Sequence, residues 1–426
     1  MSISAQPRLS AAVALLLAAA CAPSITPMST APVADSSAIR RDIAYLASDR
    51  LEGRLAGTPG NDSAAAYLAR RYRALGLVAV VPGYLQPFNA LSAADAHAGR
   101  TAPRPTENVV ALLPGRDSVL RDQYVVVGAH FDHLGRSATF AQDTGSAIRN
   151  GADDNASGTA AVLELARILA ANPPRRSIIF VNFSAEELGV LGSAWFVDHL
   201  PVPITSIVAM INFDMVGRLR NDRLIVYGTA TATELKSLVD SVNAAAPAPL
   251  QIAGGGDGYG PSDQTSFYAK DIPVLHFFTD LHEDYHRATD DVEKINAAGE
   301  ARVVNLALRV TRAIADRPSP LTLVKIAPAP RTMGPESGRQ AYLGTVPDMA
   351  PSDVAGLKLT AVRPGSPGDV AGLKAGDIIV ELGGVAVKDI YTYSDALYSH
   401  QPGDVVKIVV VRAGERVEVT AKVGKR

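Results

Sequence analysis

The chain has one cysteine, Cys21, in 426 residues. No intrachain disulfide framework can therefore form. Net charge is −2, and no dense Lys/Arg run occurs. That argues against nucleic-acid binding and against a polybasic membrane anchor. The longest signal-like apolar run, AAVALLLAAA (11–20), is too short to span a bilayer. The glycines of 254–260 do not fit G-x-G-x-x-G, so no phosphate cradle is read there. No internal repeat is present. What remains is a globular chain, 47% apolar and 20% charged, long enough for two domains.

The first residues point outward. Arg8 precedes the short apolar run, which ends in small residues, as in an export signal. Two readings of residues 1–21 compete. Signal peptidase cleaves and releases an exported, periplasmic protein, or LAAAC (17–21) is a lipobox and Cys21 carries the lipid of a cell-envelope lipoprotein. Lipidation is favoured, because the only cysteine lies where a lipobox needs it. Residues 22–35 are rich in Pro, Ser, Thr and Ala and read as a flexible tether.

From 36 to 316 the pattern alternates. Helices are expected at 36–48, 61–75, 157–171, 187–200, 231–245 and 297–315. Between them stand short, nearly pure apolar runs: QYVVVGA (123–129), SIIFVNF (177–183), IVAMINF (207–213) and PVLHFFT (273–279). Strands without polar alternation are buried on both faces, which means a largely parallel sheet with helices on either side. Residues 317–338 carry five prolines, Pro318, Pro320, Pro328, Pro330 and Pro335, and read as a linker. Beyond them, 339–426 has a short-stranded, β-rich texture with Gly/Pro/Asp turns.

Each apolar run of the larger part exits into acids or histidines. The first leads to His130 and Asp132, the second to Glu186 and Glu187, the third to Asp214. The fourth leads to Asp284, Tyr285 and His286. Asp153, Asp154 and Asn155 open a helix. Ligands of open α/β sheets bind beyond the carboxyl ends of the strands. Imidazoles and carboxylates without thiols suit a divalent cation, with zinc the natural occupant. A structural explanation exists for any one of these residues, such as a solvated helix N-terminus for Glu186-Glu187. Five clusters on one sheet edge make it a poor account of the whole. Two metals need a bridging carboxylate and about two further ligands each. Asp154 can bridge, with His130 and Asp214 completing one set and Glu187 and His286 the other. That leaves Glu186 as general base for a metal-bridged hydroxide. Asp132 suits the role of holding the His130 ring. Asn155 and Asp263 are candidates to bind a substrate amine or to orient the ligands, and His133 and His282 lie near the ligands, to support them or to face substrate.

GAHFDHLG (128–135), GADDNASG (151–158), SAEELG (184–189), INFDMVG (211–217) and DYHRATDD (284–291), in that order, resemble the signature segments of the di-zinc aminopeptidases typified by aminopeptidase Y and secreted bacterial aminopeptidases. LEGRLAGTPGNDSAAAYLARRYRALGL (51–77) resembles their N-terminal helix–turn–helix. The resemblance implies a three-layer α/β/α zinc-exopeptidase fold with a mostly parallel mixed sheet and two zinc ions. It also implies release of N-terminal residues from peptides. It matches Tyr259, in GYGPSDQ (258–264), to a tyrosine that stabilises the oxyanion in some members. Related amidohydrolases insert a dimerisation domain between the last two ligand segments, for which the span from Asp214 to His286 is too short. Glutaminyl cyclases share the fold and much of the ligand set.

AYLGT (341–345) and GSPGDVAGLKAGDIIVELGG (365–384) resemble a PDZ domain of the bacterial periplasmic-protease kind. The resemblance implies that Tyr342, Leu343 and Gly344 offer backbone N–H groups to a peptide's terminal carboxylate while the peptide pairs as an added strand. A non-catalytic peptide-binding scaffold acting through this domain is the rival from another class.

Overall fold

The computed structural model describes residues 1–2, 33–91, 102–136, 143, 147–256, 258–260, 262–325, 341–347, 356–362, 365–388, 392–393, 396–397 and 399–425. The signal-like segment after Ser2, the tether to residue 32 and the linker from 326 lie outside these residues. No helix among the described residues is long and apolar enough to cross a membrane.

An eight-stranded sheet forms the larger body. Its strands are β1 (Leu85–Ala90), β2 (Arg104–Leu113), β3 (Tyr124–His130), β4 (Ser177–Phe183), β5 (Ile207–Phe213), β6 (Arg223–Tyr227), β7 (Gln251–Gly255) and β8 (Val274–Phe278). Their order is β1-β2-β4-β3-β5-β8-β6-β7. The central four, β4-β3-β5-β8, are mutually parallel. The pairs β1/β2, β2/β4 and β6/β8 are antiparallel. Parallel pairing sends the carboxyl ends of all four apolar runs to one edge.

Alternation of side chains across the pleat, with both faces covered, explains why those runs carry few polar positions. On β3, Val125, Val127 and Ala129 enter one apolar cluster and Val126 enters the other. On β4, Ile178 and Phe180 face the first, and Ile179, Val181 and Phe183 the second. The helix Gly158–Ala171 is buried along nearly its whole length, as its Ala/Leu composition requires. Local signals set other helix starts. Asp35 accepts N–H groups of Ser37 and Ala38 ahead of Ser36–Leu46. Thr58 caps Pro59–Ala74, whose first residue is the proline that suits that position.

Two expected boundaries move. The amides of Ala34 and Asp35 donate to Asn305 and Glu164, so the tether ends before residue 34. Leu321 and Leu323 pack against the apolar clusters, and the Val324 amide donates to Thr231. The body therefore runs to Lys325, past the expected end at 316. Proline content misled here, because Pro318 and Pro320 shape a segment that docks. Ending the chain at 316 should cost about 1–3 kcal/mol of stability from lost apolar burial. Ending it at 325 should not, and thermal melts of the two shortened chains decide.

The C-terminal part has strands β9 (Ala341–Tyr342), β10 (Thr345–Pro347), β11 (Leu357–Val362), β12 (Ile378–Leu382), β13 (Val385–Ala386), β14 (Val405–Arg412), β15 (Glu415–Lys422) and β16 (Gly424–Lys425). All their pairings are antiparallel. Its own core gathers Leu343, Leu359, Leu373, Ile379, Ile408 and Val410. Strand β10 pairs only with β11 among the described residues. Gly344, at φ 76°, turns the chain into it, and a Cβ there would strike Ser366.

Candidate metal centre

His130 closes β3. Its Nδ1–H faces the Asp132 carbonyl at 3.2 Å, which leaves Nε2 as the open electron pair. That Nε2 lies 3.5 Å from Asp154 Oδ1 and 3.4 Å from Asp214 Oδ1. On the other side of the same aspartate, His286 Nε2 lies 3.1 Å from Asp154 Oδ2 and 3.2 Å from Glu187 Oε2. The two oxygens of Asp154 thus face two separate donor sets. Donors about 2.0–2.2 Å from a tetrahedral zinc stand roughly 3.3–3.6 Å apart, close to these spacings. Asp214 Oδ1 is buried and makes no hydrogen bond among the described residues, as a carboxylate oxygen awaiting a cation does. The residues present fit two divalent ions.

Three of the segments carrying these groups turn through the left-handed region at a non-glycine residue. These are Ala185 (φ 60°) before Glu186, Met215 (φ 52°) after Asp214, and His286 itself (φ 57°). Such residues mark functional sites. Gly151 (φ 56°) opens the Asp153-Asp154 turn, and a Cβ there would overlap the Asp154 carbonyl and the His133 ring.

The neighbouring carboxylates are driven apart. Burial raises Glu187, but His286 and His133 outweigh it and hold its pKa well below the usual value. Burial also raises Glu186. His130 opposes that, while Glu187, Asp263 and Asp214 reinforce it, and Glu186 ends well above the usual value. Its nearest imidazole contact is His130 Nε2, 4.0 Å from Oε2. One carboxylate held ionised and one inclined to hold a proton is the division of labour that acid–base chemistry needs.

Other expected residues settle differently. The Asp132 carboxylate, expected to hold the His130 ring, approaches Nδ1 to 3.7 Å, and the backbone carbonyl of the same residue lies nearer, at 3.2 Å. The carboxylate also accepts the amides of Glu186 and Glu187 at 3.1 and 3.4 Å, fixing that pair. Of the two roles open to Asn155, the hydrogen bonds match the orienting one. Its Nδ2 donates to the Phe213 carbonyl, and its Oδ1 accepts the amides of Gly158 and Met215. It ties the Asp154 turn to the Asp214 loop. The ring of Tyr259 packs edge-on against Tyr268, 4.8 Å between centroids. Tyr285 stacks on His286 at 3.8 Å. Its phenol is pushed well above its usual pKa by burial and by Asp154 and Glu187, so it remains a donor.

The sequence placed His133 near the ligands, either supporting one of them or facing substrate, and the structure gives it a ligand as partner. Its Nδ1 lies 2.7 Å from Glu187 Oε1, and with Asp154 and Glu187 it forms a group able to hold a metal ion. Only its neighbourhood to His130 signalled it. Replacing His133 by Ala should weaken zinc binding about 10–100-fold, the usual cost of losing a group that orients a ligand. Titration against a chelating indicator checks this.

A parallel-centred sheet with helices on both faces and a carboxylate–imidazole cluster at its carboxyl edge defines the zinc-exopeptidase fold. Residues 108–311 match peptidase family M28, and residues 338–423 match a PDZ domain. The chain carries an M28 peptidase domain followed by a PDZ domain. Aminopeptidase YwaD of Bacillus subtilis (strain 168) is 28% identical over 202 residues, 45% of this chain and 41% of that protein. The chain spans less than half the length of the curated relatives it matches. In structure it is similar to the aminopeptidase from Aneurinibacillus sp. strain AM-1 (TM-score 0.54, 18% identity, 69% of this chain and 97% of that one). It is similarly close to a Bacteroides thetaiotaomicron glutaminyl cyclase bound to N-acetylhistamine (TM-score 0.55, 17% identity, 66% and 99%).

Proposed function

We propose that this protein is an exported zinc-dependent aminopeptidase. The observation that carries the reading is Asp154, whose two oxygens face His130 with Asp214 on one side and His286 with Glu187 on the other. Those five residues would hold two zinc ions, which when bound activate water and polarise the first peptide carbonyl. Glu186 takes a proton from the attacking water and delivers it to the leaving amine. Asp132 holds the backbone of Glu186 and Glu187 in place for this. Tyr285, beside His286, and Tyr259 are the phenols available to the developing oxyanion.

The PDZ domain would take carboxyl-terminal peptide ends. The turn Tyr342-Leu343-Gly344 receives the carboxylate, and the outer edge of β10 pairs with the incoming chain. Residues 1–21 would direct export, with Cys21 as lipid anchor.

Protein purified without chelator should contain about two zinc per chain and release aniline from aminoacyl-anilides. Zinc-free protein with full turnover would overturn the reading. Conversion of N-terminal glutaminyl peptides to pyroglutamyl products, without anilide cleavage, would assign the cyclase reaction instead.

A further inference from the structure

Arg54, from the LEGR turn, lies outside the residues matched to family M28. It is wholly buried, at 0% exposure. A buried guanidinium ordinarily sits on a carboxylate, yet among the described residues none pairs with Arg54. It donates instead to four backbone carbonyls. Nε reaches Phe131 at 2.7 Å, Nη1 reaches Leu46 at 2.5 Å and Asn150 at 2.6 Å, and Nη2 reaches Gly151 at 3.0 Å. Its own carbonyl accepts the His133 amide at 3.3 Å and the Asn61 side chain at 3.1 Å.

Those carbonyls have a pattern. Phe131 lies between His130 and Asp132. Asn150 and Gly151 lead directly into the Asp153-Asp154 turn. One planar fork therefore spans the two loops that carry His130 and Asp154. Arg54 also holds φ 51°, a left-handed conformation that a non-glycine residue keeps only when its surroundings over-determine it. Burial depresses its pKa to about 10 while Asp132, Asp154, Asp290 and Glu187 pull it back up, so it remains charged beside the acidic cluster.

We propose that Arg54 is a positioning residue for the metal centre, setting the separation of His130 and Asp154 by clamping the backbones of their loops. The proposal rests on the zinc reading above. Lysine cannot replace the fork, because a point donor does not reach all four carbonyls in the plane of a guanidinium.

The test uses the full chain and Zn²⁺ in competition with a chelating indicator. Arg54→Met should bind zinc at least about tenfold more weakly and, at saturating zinc, lose kcat more than KM. Arg54→Lys should fall between it and the wild type. Arg176→Met is the control. Arg176 is also a buried arginine on backbone carbonyls, but it precedes β4 at the opposite sheet edge, so its loss should lower stability and leave zinc affinity unchanged. Wild-type zinc affinity in a folded Arg54→Met protein overturns the proposal. If Arg54→Met does not fold, hydrogen exchange on the wild type decides. Zinc should protect residues 49–56 as strongly as residues 150–154, by reciprocity of linkage, and absence of that protection overturns the proposal. A wild type that binds no zinc sinks the underlying reading instead.

Discussion

Glu186→Gln should keep its zinc and its fold while turnover falls about 10²–10⁴-fold, the range for removal of a general base. The amide preserves shape and neutralises a group that burial already inclines toward its neutral form. Little else should change, since its only close imidazole contact is the 4.0 Å approach to His130. The adjacent substitution should behave oppositely. Glu187 stands 3.2 Å from His286 and 2.7 Å from His133, so Glu187→Gln should lose metal along with activity. Metal content and kcat measured on both variants separate the roles. If Glu186→Gln loses zinc and Glu187→Gln retains it, the assignment of the pair is reversed.

Asp154→Asn should abolish activity by a different route. Asp154 is the one residue shared by both donor sets, and an amide offers only one oxygen. Zinc content should fall from about two per chain to less than one. The thermal response should change as well. Zinc at about 1,000 times its dissociation constant adds roughly 4 kcal/mol per site to the wild type, and that upward shift should vanish in the variant. Without added metal the variant should melt no lower than the wild type. Burial and the Glu187 charge both disfavour an ionised Asp154, and asparagine removes that conflict. Two zinc per chain in Asp154→Asn, or an undiminished zinc-induced shift, would refute a shared ligand.

The four apolar runs were legible in the sequence because burial on both faces removes most polar positions, and β3, β4, β5 and β8 fall where those runs do. The strands β1, β2, β6 and β7 were not read. LQPFNA (β1) carries a proline on a sheet edge and QIAGG (β7) ends in two glycines, so neither of these two shows a run. The helix expected from 187 begins only at Leu191, because Glu186 and Glu187 are held in an irregular turn by Asp132. Four of the five predicted ligand residues, His130, Glu187, Asp214 and His286, come together because they close or follow the mutually parallel strands β3, β4, β5 and β8, and Asp154 joins them from the turn that opens the helix Gly158–Ala171. The contacts of His133, Asn155 and Arg54 are another matter. Each joins segments far apart in the chain, and nothing in local composition distinguishes an arginine that pairs with water from one that grips four carbonyls.

The clamp and the centre also order events in time. Arg54 emerges early in synthesis, its carbonyl partners at 131, 150 and 151 much later, and His286 later still. The site is therefore incomplete until the chain has passed β8. Contacts of such long sequence separation form slowly. Metal binding by all five residues would thus require every segment from the Arg54 turn to the loop after β8 to have reached its place.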